Sequence, residues 1–334
     1  MPRNRIHKAV QSSTDSLKSL SAFNPLAIHK KGSRAKAIFA LAVVSFFWGT
    51  TWLASKQGVK HLPGLQMAAI RQLIAGSCYL LYFFLKGASI PKLKELWPLF
   101  ILALLNFVLS NGLSTWGIKY ISAGLGSIIG AIFPLWLVVI GFFSSKEKLP
   151  TKAVVGLVLG FAGVCIIFYE HLHDFLNPDF RFGISLSLMA TWTWAFGSLY
   201  TKKQAAKFNP YFGIGFQMLI AGIVLFAVSS FDPKFVPLRE IPVDSWLAIG
   251  YLVVFGSIIS FVAYLYSLQR LPTEQASIYA YINPVVAVLL GSLIFDEKLT
   301  TVLIVGGLVT LYGVYMVNKA FKKTAEEQLG EMDN

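Results

Sequence analysis

Ten stretches of this chain, each near the length of a membrane crossing, are almost wholly apolar: 37–55, 65–85, 97–117, 122–143, 151–169, 183–201, 211–230, 245–267, 275–295 and 300–318. About 20 residues is what an α-helix needs to cross ~30 Å of hydrocarbon. Eight of the ten hold no Asp, Glu, Lys or Arg; the exceptions are Lys152, at the start of its run, and Arg71. Hydrocarbon offers the backbone no hydrogen-bond partner, so a spanning segment closes its own bonds as a helix or pairs its strands in a closed barrel. Barrel strands alternate apolar and polar over ~10 residues, and these runs do not alternate. The chain therefore reads as an all-α, multi-pass membrane protein with ten transmembrane helices. Its residues are 55% hydrophobic and 13% charged, against about 25% charged in a soluble domain, and the short connections leave no room for a soluble domain. The first run is long for a signal-peptide core and lacks a clear small-residue cleavage site, so it is expected to be retained. Cys78 and Cys165 lie inside runs and read as packing residues rather than a disulfide or metal pair.

The chain also repeats itself. FFSSKEKLPTKAVVGLVLGFAGV, residues 142–164, aligns without a gap on SLIFDEKLTTVLIVGGLVTLYGV, residues 292–314, at an offset of 150. RQLIAG at 71–76 matches QMLIAG at 217–222 at an offset of 146, which also superposes Trp48 on Trp194 and Lys56 on Lys202. Pro134 pairs with Pro284, and Gly141 with Gly291. Each half thus holds five runs, over 37–169 and 183–318, between a basic, Ser-rich tail at 1–36 and a second tail at 319–334. Five is odd, so the second half enters the membrane from the opposite side, and the repeats are expected to be inverted. Two halves related by an axis in the membrane plane can exchange conformations and move a cavity's opening across, which is alternating access.

The net charge of +13 does not call for nucleic acid, because its distribution follows topology. With a cytoplasmic N-terminus, inside segments hold 21 Lys and Arg, outside loops hold 7, and Arg71 completes the 29. That bias orients a membrane protein and places basic groups against anionic headgroups. Both tails are then cytoplasmic, in a bacterial-type inner membrane.

FFWGTTWLASKQGV in the first run resembles the opening of the EamA family of the drug/metabolite transporter superfamily, and Arg71 resembles that family's usual arginine. AIFPLWLVVIGFFSSKEKL and YINPVVAVLLGSLIFDEKL are similar to its proline, apolar stretch and acidic-basic-leucine ending; Ser145 stands where a glycine is frequent. The resemblance covers nearly all of 37–318. It implies a ten-helix bundle in which runs one to four and six to nine surround a central cavity, with runs five and ten outside.

Candidate cavity residues follow from polarity inside apolar runs. Arg71 sits seven residues into its run, roughly 10 Å deep at 1.5 Å per residue, and a charge there points to function. Three readings stay open for it: a cavity position, where its donor fork suits carboxylate or phosphate; snorkelling to the interface; or a pair with a loop carboxylate such as Glu297. Its counterpart is Gln217, so the charge is not duplicated. Asn106, Ser110 and Ser114 recur at every fourth position and form a polar stripe, with Ser260 and Tyr264 at the matching places of the second half. The alternative for this stripe is interhelical hydrogen bonding. Tyr279 and Asn283 lie one turn apart, with Tyr281 beside them. Trp48 and Trp194 stand deeper than the interfacial aromatic belt and either line the pathway or fill the core. With Trp52, Trp192 and Tyr264 they would make an aromatic cavity, which suits amino acids or amphipathic metabolites better than sugar phosphates. Pro134, Pro284, Glu147 and Glu297 read as structural, each glutamate favoured by the dipole of the helix that follows it. GLGSIIG at 124–130 reads as close helix packing. Gly156 and Gly160 offer a dimer face, leaving monomer and homodimer both open. EHLHD at 170–174 is weak evidence for a metal, so no metal and no cofactor are expected.

The leading expectation is a carrier of small molecules, an exporter of amino acids or related solutes. No run carries an interior Asp or Glu, so uniport or exchange stands beside proton coupling. No Walker A motif is present. The alternatives are an intramembrane lipid-modifying enzyme, which would need paired carboxylates or a nucleophile with a base inside the runs, and a receptor that moves nothing.

Overall fold

The computed structural model describes residues 34–88, 93–144, 150–204, 209–271 and 279–332. Most of the N-terminal tail and the Glu147–Leu149 stretch of the repeat lie outside the described residues. Within them every regular element is helical and there is no strand. The first half gives α1 (Arg34–Gly58), α2 (Gly64–Leu85), α3 (Leu93–Leu102, continued through Ala103–Gly112 and Leu113–Gly117), α4 (Ala123–Ala131 and Phe133–Ser144) and α5 (Thr151–Glu170). The second gives α6 (Pro178–Gln204), α7 (Pro210–Ser229), α8 (Val243–Tyr251, Leu252–Ile259 and Ser260–Leu268), α9 (Tyr279–Phe295) and α10 (Thr301–Met332). Eight of these are long and apolar enough to cross a membrane; α9 is apolar but 17 residues long, and α6 does not reach that apolarity. Ser, Thr and Trp residues along α6 dilute its apolar character.

Local chemistry sets the helix ends. The Asn209 side chain accepts hydrogen bonds from the amides of Tyr211 and Phe212, with Pro210 in the first turn of α7; such a cap satisfies donors that the helix leaves open. Ser122 does the same for α4 through the Leu125 amide. Pro134 has no amide to give the carbonyl four residues back, and α4 steps at Ile132, whose amide takes the Ile129 carbonyl instead. Both α3 and α8 carry a π-helical stretch, Ala103–Gly112 and Leu252–Ile259, at nearly the same place in the repeat.

Two of the closest helix pairs between the halves each join a helix to its own counterpart. In α2 and α7 a methyl group added at Gly76 would stand 2.5 Å from the Leu219 amide, and one at Gly222 would stand 2.6 Å from the Leu73 amide. In α5 and α10 the same construction puts Gly156 at 2.7 Å from the Gly313 carbonyl and Gly163 at 2.6 Å from the Gly306 carbonyl. Residue numbers rise in one helix as they fall in the other, so both pairs are antiparallel. The glycines let backbones approach, which is how helices pack where lipid leaves little hydrophobic driving force between them.

This corrects two expectations. The Gly156 and Gly160 stripe is not a free dimer face: it is buried within the chain, Gly156 against α10 and Gly160 against Leu135 of α4. Cys78 and Cys165 are exposed free thiols, not packed ones. They share the outer surface with Phe39, Leu85, Val158, Leu293 and Leu308, an apolar exterior of the kind that a soluble protein does not carry.

Candidate functional site

A cavity of about 210 Å³ lies at the centre of the bundle, lined from α1, α2, α3, α4, α6, α8 and α9. No residue of α5, α7 or α10 lines it. Its size falls below the ~300–1,000 Å³ of pockets that take drug-sized ligands.

Of the residues expected to line it, Trp48, Arg71, Asn106, Ser110, Ser114, Trp194, Tyr279 and Asn283 do so, together with Pro284. Three do not. Gln217 lies behind the wall, where its Oε1 accepts from Asn106 Nδ2 at 3.3 Å. Ser260 is fully buried and donates to the Phe255 carbonyl of its own helix at 2.5 Å. Tyr264 backs the aromatic wall, with ring centroids 5.2 Å from Trp48 and 5.4 Å from Tyr279. Trp192 turns away from the cavity: it is half exposed and packs edge-on against Trp136. Tyr281 receives a hydrogen bond from Asn318 of α10 at 2.6 Å.

The walls divide by chemistry. One is aromatic. Trp48 makes edge contacts with Tyr279 and Phe261 at 5.0 and 5.1 Å, and its indole N–H donates to the Gly256 carbonyl at 3.1 Å. Trp52 extends this wall, seated over Gly126 and Gly130 of α4, which is the close packing that GLGSIIG was expected to provide. Polar lining comes from Asn106, Ser110, Asn111 and Ser114 on α3 and from Ser187 and Thr191 on α6. Ser110 and Asn111, neighbours in the π-helical stretch of α3, both reach the cavity. Asn111 accepts from Gln72 Nε2 at 2.9 Å. Ser187 and Thr191 were missed in the sequence, although with Trp194 they follow the spacing of one helix face.

Arg71 settles between its three readings. It is buried, lines the cavity, and donates from Nε to Ser257 Oγ at 2.9 Å. Among the described residues no carboxylate pairs with it. Glu297 is occupied elsewhere: its two oxygens accept the amides of Ala123 and Gly124, at 2.6 and 3.0 Å, at the N-terminus of α4. Glu297 was expected to favour the helix that follows it, α10, but the amides it accepts belong to α4, in the other half. Pro284, inside α9, comes to line the cavity as well, while Pro134 is buried at the step in α4. Among the described residues no cluster of three metal-ligating side chains occurs; His171 Nδ1 pairs with Asp174 at 2.6 Å.

The profile of the EamA-like transporter family matches residues 35–169 and again 181–319. The chain is 33% identical over 270 residues to the "Uncharacterized inner membrane transporter YedA" of Escherichia coli (strain K12), covering 80% of this chain and 84% of that one. It is 27% identical to the "Uncharacterized transporter YvbV" of Bacillus subtilis (strain 168), over 90% and 97% of the two chains. A chloroplastic WAT1-related protein of Arabidopsis thaliana is 28% identical over 82% and 67%. One solved crystal structure superposes with a TM-score of 0.62 across 87% of this chain and 99% of its own, at 17% identity, a likeness of fold alone. An apolar helical bundle with a partly polar central cavity, and a profile that matches each half in turn, have one reading: the chain belongs to the EamA-like transporter family and is a multi-pass membrane transporter, not an enzyme.

Proposed function

We propose that this transporter moves a small metabolite by alternating access between two inverted halves that together cross the membrane ten times. The observation that carries the reading is an exchange symmetry. Gly76 on Leu219 becomes Gly222 on Leu73 when the halves are swapped, and Gly156 on Gly313 becomes Gly306 on Gly163. Each contact joins one helix to its own counterpart running the other way, so the relating axis is perpendicular to the helices and lies in the membrane plane. Inverted repeats of this kind rock about a site near the bilayer midplane. In this reading α6 and α9 are also spans, and both tails are cytoplasmic.

Trp48, Arg71, Asn106, Ser110, Ser114, Trp194, Tyr279 and Asn283 are the residues that meet the solute, with Gln217 behind Asn106 and Tyr264 behind Trp48 and Tyr279. The aromatic wall and the absence of a Lys and Arg cluster favour amino acids or related amphipathic solutes, and we assign export as the direction. Reconstitution in liposomes tests this. Flux of labelled amino acids is expected, abolished by Arg71→Ala and by Asn106→Ala. Turnover of a lipid without flux, or flux that both variants leave intact, would overturn it.

A further inference from the structure

The two halves use the same three places at the cavity's edge in opposite ways. In one, Gln217 meets Asn106, and Asn106 in turn lies against Gly197, where an added methyl group would collide with Asn106 Oδ1. Swapping the halves turns Gln217 into Arg71, Asn106 into Gly256, and Gly197 into Thr51. These three also meet: a methyl group on Gly256 would stand 3.0 Å from Arg71 Nη2 and 2.8 Å from Thr51 Cγ2. One half therefore fills this corner with a neutral amide pair. The other leaves out a side chain and seats a guanidinium in the gap, held by Ser257, whose own counterpart is Phe107.

A buried cation is costly without a partner, and in a membrane span it is retained for function. Arg71 has no anion beside it among the described residues, and no Asp or Glu lines the cavity. The geometry points to a one-sided carboxylate site at Arg71, created by Gly256: the solute's carboxylate is the guanidinium's missing partner, and the Gln217–Asn106 corner is its neutral pseudo-symmetric twin. A single positive charge matches a singly charged carboxylate rather than a doubly charged phosphate. The aromatic wall of Trp48 and Tyr279 receives the apolar remainder. The inference rests on the transporter reading only in that the cavity is the place the solute occupies. Gly256 is a positioning residue: a side chain there would press on Thr51 Cγ2 and on Arg71 Nη2 and so shift the guanidinium's seat.

The test uses the full purified chain in detergent, with tryptophan fluorescence as readout, since Trp48, Trp52 and Trp194 line the cavity. The probes are benzoate, phenylacetate and hexanoate against their primary amides, with phenylalanine as a further carboxylate that also carries an ammonium. At least one acid is expected to bind about tenfold more tightly than its amide, a difference of ~1.4 kcal/mol. Gly256→Ala narrows that preference with Arg71 still present. Thr51→Gly/Arg71→Gln/Gly256→Asn recreates the three residues the protein already folds around at 197, 217 and 106, so it is expected to fold and to lose the preference. Phenylalanine binding as tightly as phenylacetate identifies amino acids as the source of the carboxylate; weaker binding identifies simple organic acids. No acid preferred over its amide in the native chain, or a preference that survives in the triple variant, overturns the proposal. Flux in liposomes separates the two readings: acid preference without flux sinks the carrier and leaves the site, whereas flux without acid preference does the reverse.

Discussion

Two charged side chains, Lys56 in α1 and Glu297 in the connection after α9, close the ends of α3 and α4. Lys56 Nζ donates to the carbonyls of Ile118, Lys119 and Ile121, at 2.9, 3.3 and 2.6 Å, where α3 ends and turns into α4. Glu297 accepts the first amides of α4. It reaches them because Asp296 takes a left-handed conformation, φ 54°, that turns the chain at the end of α9, a conformation Asp tolerates better than most residues. Gly291 leaves the room: a methyl group there would stand 2.6 Å from Glu297 Oε2. A carboxylate on a helix N-terminus gains from the dipole and from charge-assisted bonds. Glu297→Ala strands both amides and is expected to cost ~1–3 kcal/mol, read as a lower melting temperature in detergent. Glu297→Gln keeps one acceptor oxygen and should lose less. Equal melting temperatures for the Ala variant and the native chain would show that these bonds hold nothing.

The α5–α10 pair shows what helix-level sequence reading reaches and where it stops. Glycines at 156, 160 and 163 announce a close approach, because only a backbone without side chains admits another at this distance. They do not name the partner. The same stripe serves a second copy or a helix 150 residues away, and the exchange-symmetric contacts with Gly306 and Gly313 resolve that choice. Polar stripes behave likewise: fourth-residue spacing found Asn106, Ser110 and Ser114, but equal spacing in the second half picked Ser260, which bonds its own helix. A hydroxyl that can bond back to its own turn reads the same in sequence whichever way it faces. Gly163→Ala would place its methyl 2.6 Å from the Gly306 carbonyl, and overpacking of this sort costs ~1–3 kcal/mol. Val158→Ala, on a 63% exposed position of the same helix, should stay within about 0.5 kcal/mol of the native chain. Since neither residue lines the cavity, solute affinity is expected to hold in both variants while thermal stability falls in the first alone.

At the scale of the whole molecule, duplication was written plainly in the chain because both copies must satisfy the same helix contacts: the two IAG segments pack Gly76 on Leu219 and Gly222 on Leu73. The departure from symmetry was half visible. Arg71 against Gln217 could be read from the alignment, but that Gly256 makes room for the guanidinium needed three-dimensional placement, since a glycine in an apolar run resembles any packing glycine. The symmetry has a consequence for topology. If α5 and α10 are counterparts and antiparallel, the Lys148 and Lys298 that precede them stand on opposite faces of the membrane. With Cys78 and Cys165 replaced by alanine, Lys298→Cys is expected to react with an impermeant maleimide in intact cells, and Lys148→Cys only after the membrane is opened. Lysines that react from the same side would remove the inversion, and with it alternating access between mirrored halves. The carboxylate site at Arg71 would survive that outcome, because it depends on one charge, one missing side chain and the cavity between them.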